Sequence, residues 1–338
     1  MDGVINGVDI LENDIVRLYP GVLEILLYDH SARKNIIWAT DNYSELGDSY
    51  QFDSPISAAL ITGENGQVIM PRVEKNRKLQ KERSREMAEV FTPSWVCNAQ
   101  NNLIDDSWFG KKGNFNCEVI APEGERSWVS NDSKVQFPKG KTWKDYICEK
   151  RLEITCGEAP YITSRYDSTS GQFIPISMRI GILDRKLRVV SENTTSSGEW
   201  LKAAQLAFKN TYAYEWQGDS LLLAREAMLV TFIENYKLKF LREPQLKSIL
   251  LIAEIISWNV WQMDGLKGVI PNSCKTKWYS EENLFGEIKT RNKKCEGCER
   301  DDITSHNGIQ CKIKEWSISA KPEGSEIIFA NLLTQESL

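Results

Sequence analysis

The chain has 338 residues, 41% of them hydrophobic and 26% charged, with a formal net charge of -5. That is enough apolar material for one large α/β domain with additions, or for two domains. The acidic balance excludes a uniformly basic nucleic-acid coat, so any contact with DNA must come from local patches. No apolar run reaches membrane-span length, and Met1 to Asn13 lacks the basic start and apolar core of a signal peptide, so a soluble, cytoplasmic protein is expected. Eight cysteines without a secretion signal read as reduced thiols or metal ligands, not a disulfide framework. His30 and His306 are the two histidines, and neither sits in a nucleophile context.

From Asp9 to Tyr28, apolar residues recur at helical spacing and predict two short helices broken at Pro20 and Gly21. Ile36, Ile37 and Trp38 predict a buried strand over 34–40, and the GENG turn signal ahead of Val68 predicts a hairpin or a passage into a strand. The run from Arg72 to Phe91 is a helix former crowded with Lys and Arg. Arg77, Lys78, Lys81 and Arg85 on it are candidate DNA-phosphate ligands, the alternative being a solvated face laced with pairs such as Lys78 with Glu82.

The stretch around which the chain is organised runs from Arg151 to Asp167. Leu152 and Ile154 mark a short strand, Cys156, Gly157 and Ala159 a small-residue turn, and regular structure is expected to resume after it. At Gly157 no Cβ keeps the backbone from a ligand, which suits the start of a nucleotide-type site. Further on, Leu187, Val189 and Val190 predict another strand. Tyr212 and Tyr214 lead into Glu215, and Leu221 to Leu223 open a helix after Gly218. An acid ending the second strand of a doubly wound sheet is placed to hold ribose hydroxyls, although an acid at a helix start also complements the helix dipole. The segment 252–267 reads as a third strand-bearing element, with Ile255, Ile256 and Val260 buried and Asp264 at its end before Gly265.

In the tail, Cys295 and Cys298 form a Cys-x-x-Cys knuckle, followed after seven residues by His306 and after four more by Cys311. Cys3His is a closed tetrahedral donor set suited to structural Zn2+, and Cys274 stands as a replacement for one ligand.

Several of these segments resemble the adenine-N6 DNA methyltransferases of restriction-modification systems. Phe91, Thr92 and Pro93 match the family's Phe/Tyr-Thr-Pro element, which lies against the S-adenosylmethionine (SAM) pocket; read alone, Thr92-Pro93 is a helix start. RLEITCGEAP is similar to its strand-end acid and Cys-Gly turn: Glu153 takes the place of the acid, Cys156 and Gly157 match the pair, Ala159 stands for a glycine and Ile154 for a proline. The resemblance places the ribose ligand at Glu215 and the contact to the adenine amino group at Asp264. It implies an α/β, Rossmann-like SAM-dependent methyltransferase sheet over 88–270, after an N-terminal, mainly helical region over 1–87 and before a small zinc-ribbon-like module over 271–338. The implied partners are DNA and a restriction, specificity or catalytic subunit, with no membrane. No Pro-Pro pair exists in the chain, so the family's Asn/Asp-Pro-Pro-aromatic motif is missing, and Phe329-Ala330-Asn331-Leu332 is only its echo. No catalytic residue is assigned. Two other readings stand beside this one: a noncatalytic DNA-binding or assembly subunit of the same fold, and a metal-dependent nuclease built on Asp264 and Glu287-Ile288-Lys289.

Overall fold

Two short helices open the structure, α1 (Glu12–Leu18) and α2 (Val22–Leu27), separated as the sequence predicts at Pro20-Gly21. Gly21 takes a left-handed φ of 82° there, and Val22, Leu23, Leu26 and Leu27 are buried. The computed structural model describes residues 7–75, 80, 83–85, 92–282, 288–316 and 323–334. Ile36, Ile37 and Trp38 are buried as expected, but the strand is reduced to Lys34–Asn35 against Tyr28–Asp29 and a single bridge from Ile37 to Pro55. The expected hairpin after Thr62 is a 3-10 turn, Gly63–Asn65. Asn13 brackets Gly63 with both ends of its amide, at 2.7 and 3.1 Å, and ties the loop to α1 instead of a strand partner.

Helix α3 (Ser94–Phe109) follows Pro93. The centre of the fold is a parallel sheet of β1 (Arg151–Glu153), β2 (Thr211–Glu215) and β3 (Val260–Gln262), in that spatial order, with Glu153 beside Ala213 and Glu215 beside Gln262. Parallel neighbours need crossovers. Here each crossover contains two helices: α4 (Ile182–Asn193) and α5 (Ser197–Lys209) between β1 and β2, then α6 (Gly218–Phe240) and α7 (Leu246–Asn259) between β2 and β3. The chain is therefore mixed α/β, and among the described residues this sheet has three strands, not the wide sheet of a complete doubly wound domain.

Three expectations are corrected. Residues 187–190 belong to α4, where Leu183, Leu187 and Val190 recur at helical spacing in the core. Asp184, Arg185 and Lys186 are buried beside them, because Arg185 reaches Asp105 at 2.6 Å and Asn98 at 2.9 Å while Lys186 caps the carbonyls of Glu149 and Asn210. Within 252–267, Ile255 and Ile256 lie on α7 and only Val260–Gln262 is strand. No helix follows directly after Gly157: the chain runs through turns and a 3-10 turn at Ile176–Met178 before α4 begins.

One continuous core joins α2, α4, α5, α6 and α7, so the N-terminal helices rest on the sheet's own helical layer. Beyond β3, the hairpin of β4 (Lys277–Glu282) and β5 (Ile288–Lys293) and the pair β6 (Lys312–Glu315) and β7 (Ser325–Ile328) build the tail. A second, smaller core packs Tyr212, Tyr214, Trp261 and Met263 against Ile270, Cys311, Ile313 and Phe329 and fastens the tail to the outer face of the sheet. Phe329 starts a short helix, Phe329–Thr334, with its ring 5.4 Å from that of Trp261, so it is a core residue here. No helix among the described residues is long and apolar enough to cross a membrane.

Candidate functional site

The carboxyl ends of the three parallel strands lie side by side, and each carries one of the acids singled out in the sequence. Glu153 and Glu215 are the last residues of β1 and β2, and Asp264 stands two residues past β3. The ladder continues into the turns: Cys156 N–H donates to the Tyr214 carbonyl at 2.9 Å and Met263 N–H to the Glu215 carbonyl at 2.9 Å. After β1 the backbone alternates in and out of the left-handed region, at Thr155 (φ 45°), Gly157 (φ 54°) and Ala159 (φ 57°). For a β-branched residue such as Thr155 that conformation is strained, and strain of this kind collects at ligand-facing turns. The space where a Gly157 side chain would stand is open.

Glu215 is buried and accepts the N–H groups of Gly157 at 2.7 Å and Gln217 at 3.2 Å. Burial raises its pKa, and these two hydrogen bonds work against the shift. Glu153 accepts from Ile162 N–H at 3.1 Å and Tyr161 N–H at 3.4 Å. Burial pushes its carboxyl up to about 8, with those amides opposing and the neighbouring Glu215 charge adding to the rise. Asp264 accepts from Leu266 N–H and pairs with the Lys267 ammonium at 3.1 Å. The next residue must be Gly265, because a Cβ there would lie 2.8 Å from the Tyr214 ring. Cys156 and Ala159 are buried in the turn and belong to its core side. Trp261 and Met263 are buried against one another, not exposed to a ligand.

Thr92 and Pro93 adjoin this turn through its continuation. Asp167 accepts the first N–H of α3, from Ser94, at 2.7 Å, and Ser168 Oγ donates to the Thr92 carbonyl at 2.8 Å. The helix is thus capped by Asp167 from outside, not by Thr92. Phe91 lies outside the described residues.

The sequence reading missed Asp219. It sits in the first turn of α6, fully buried, where it accepts from Tyr43 OH at 2.8 Å and pairs with Arg83 at 2.9 Å and Lys75 at 3.5 Å. Arg83 also donates to Gln217, next to the Glu215 end of the site. Two residues of the basic run therefore turn inward as counter-charges. Of the four proposed phosphate ligands, Arg85 is exposed, and Arg77, Lys78 and Lys81 lie outside the described residues. An acid one residue inside a helix start, in a chain with an upstream basic run, was the available signal.

The metal-capable group is Cys274, Cys295, Cys298 and His306, whose ligand atoms all lie within 4.8 Å of one another. Each of the three sulfurs is 3.5 Å from His306 Nδ1. Four soft donors at this mutual spacing fit a tetrahedral ion such as zinc. Cys311, expected as the fourth ligand, is not one. Its N–H is held by the Gly268 carbonyl and its buried thiol faces the Gln262 carbonyl, so the β-bridging of Val269 with Gln310 carries it to the sheet and Cys274 takes its place. Asn307 locks the Cys274 loop to the His306 loop by bonding both the N–H and the carbonyl of Lys275, at 2.9 and 2.8 Å. Gly297 permits the close approach, since a Cβ there would meet His306 N at 2.6 Å.

A groove of about 580 Å³ between Tyr19, Phe173, Ile176, Ile233 and Leu238 shares no residue with either site. Comparison with family models, with curated proteins and with solved structures finds no match to this chain. What the strand-end site offers is carboxylates and a bare backbone turn, a set suited to hydroxyl and amino groups of a ligand.

Proposed function

We propose that the chain is a SAM-binding, DNA-methyltransferase-like protein of a restriction-modification system, of the adenine-N6 type, that works with a partner supplying catalysis, specificity or restriction. The observation that carries this reading is the arrival of Glu153, Glu215 and Asp264, in chain order, at the carboxyl ends of three adjacent parallel strands, with the Gly157 turn against Glu215. In this reading the sheet is the cofactor-binding part of a Rossmann-like domain. Glu215 would accept the ribose hydroxyls, Asp264 the adenine amino group, and Glu153 with the Gly157 turn would face the amino-acid end. Thr92 and Pro93 would stand at the pocket wall, and the Cys3His group would hold a structural zinc ion. SAM supplies the methyl group when bound; the chain's own residues bind and orient it.

A second reading is favoured by a specific observation: Glu153 and Glu215 are already satisfied by the chain's own amides, and the chain has no Pro-Pro motif. That suits a noncatalytic DNA-binding or assembly subunit that keeps the fold. Calorimetric titration with SAM separates the two. Saturable binding, weakened by about 1.5–3 kcal/mol in Glu215→Ala and less in Glu215→Gln, supports the cofactor site. Absence of binding to the wild-type chain overturns it in favour of the subunit.

A further inference from the structure

The hairpin of β4 and β5 is closed at its base by two of the metal ligands. Cys274 precedes Lys275 on the way into β4, and Cys295 follows Lys294 on the way out of β5. The register sets Lys277 opposite Lys293 and Tyr279 opposite Arg291. Like charges directly opposed across a ladder destabilise it, and Lys275 and Lys294 stand at the same end. All four lysines are exposed. Among the described residues none of them pairs with a carboxylate, although neighbouring cations of the same module do: Lys267 with Asp264, Arg300 with Glu296 and Lys312 with Glu326. Within 275–294 there are six Lys or Arg against three Glu, in a chain that is otherwise acidic. Trp278, on the alternate face of the same strand, is 67% exposed.

Lys277 and Lys293, directly opposite one another, with Lys275 and Lys294 beside them in the chain, make the base of the ribbon cationic, which is complementary to a polyanion. The carrier of this charge is a two-stranded ribbon of six residues per strand, and a two-stranded ribbon is an element that the major groove of B-form DNA admits. We propose that this ribbon is a duplex-DNA contact, laid into the major groove with Lys275, Lys277, Lys293 and Lys294 on the flanking phosphates and the bound metal holding its two feet. This rests on and deepens the DNA half of the function proposed above, and adds a contact in the tail to the one expected at the basic run 72–85.

The test is fluorescence anisotropy of a labelled mixed-sequence duplex with the full-length, zinc-loaded protein, without SAM, over a salt series. Lys277→Ala/Lys293→Ala should weaken binding by roughly tenfold at low salt and reduce the slope of log affinity against log salt by about 2, as expected for two lost phosphate contacts. Lys202→Ala/Lys247→Ala, exposed lysines elsewhere, should change neither. Equal binding by the ribbon variant and the wild type overturns the proposal. So do an equal loss in the control pair, tighter binding to an RNA helix of the same length, or a wild-type chain that does not bind duplex at all. Circular dichroism of each variant guards the comparison against unfolding. Because SAM is absent throughout, a failure here leaves the cofactor reading standing, and a failed SAM titration leaves this one standing.

Discussion

Glu215 accepts the backbone N–H of Gly157 at 2.7 Å, joining the end of β2 to the turn that leaves β1. The turn is left-handed at Thr155, Gly157 and Ala159, and the Glu215 carboxylate holds it by the Gly157 N–H while the space on the Cβ side of Gly157 stays open. A carboxylate in this position serves the fold first and a ligand second, since a ligand hydroxyl would share or replace these amides as its partners.

Truncating that carboxylate leaves two N–H groups, of Gly157 and Gln217, without their acceptor. Glu215→Ala should therefore lower unfolding stability by about 1–3 kcal/mol, and Glu215→Gln, which keeps an amide oxygen, by less. Urea denaturation monitored by tryptophan fluorescence reads this directly. Equal midpoints for wild type and Glu215→Ala would mean that the turn does not depend on the carboxylate.

Glu153 gives the pH dependence. Its carboxyl is raised to about 8 in the folded chain, chiefly by burial, against about 4.3 unfolded. The folded state thus holds a proton that the unfolded state has released, and stability falls as pH rises from about 4.3 to 8, then levels off. Glu153→Gln removes the titration. The variant should gain on the wild type steadily across that window, and a difference that stays constant from pH 5 to pH 8 would refute the assignment.

How much of this was legible follows from which residues carry the signal. The break at Pro20-Gly21 and the acids at the strand ends could be read, because proline, glycine and a polar residue closing an apolar run act locally. Helix α4 could not, because Asp184, Arg185 and Lys186 are held by partners twenty or more residues away, and paired Val189 and Val190 imitate a strand. The inward turn of Lys75 and Arg83 was hidden for the same reason, since Asp219 lies 144 residues beyond Lys75. In the tail the donor types were legible, but the choice of Cys274 over Cys311 was made by the bridge between Val269 and Gln310, which no spacing rule encodes.

That choice is testable by metal content. Cys274→Ser should lose the bound metal, and Cys311→Ser should retain it, as measured by elemental analysis or by the visible spectrum of the cobalt-substituted protein. Loss in Cys311→Ser with retention in Cys274→Ser would reverse the assignment. Chelation of the wild type should unfold the tail, because a closed Cys3His set contributes folding energy directly.

Asp219 anchors the inward-turned cations to the start of α6. Its carboxyl is fully buried, which alone would raise its pKa, yet the charges of Arg83 and then Lys75 hold it well below the usual carboxylate range. Asp219→Asn takes away a buried charged acceptor shared by Arg83, Lys75 and Tyr43, at a cost of about 3 kcal/mol. The sign of its pH dependence is opposite to that of Glu153. A depressed folded pKa contributes stability that is fully present above the unfolded value, near pH 4, and is lost as pH falls through the folded one. The wild type's advantage over Asp219→Asn should accordingly be constant from pH 8 down to about pH 5 and shrink below pH 4. Denaturant unfolding of the pair at four pH values measures it, and an advantage undiminished at pH 2.5 would show that the carboxylate is not what Arg83 and Lys75 are held by.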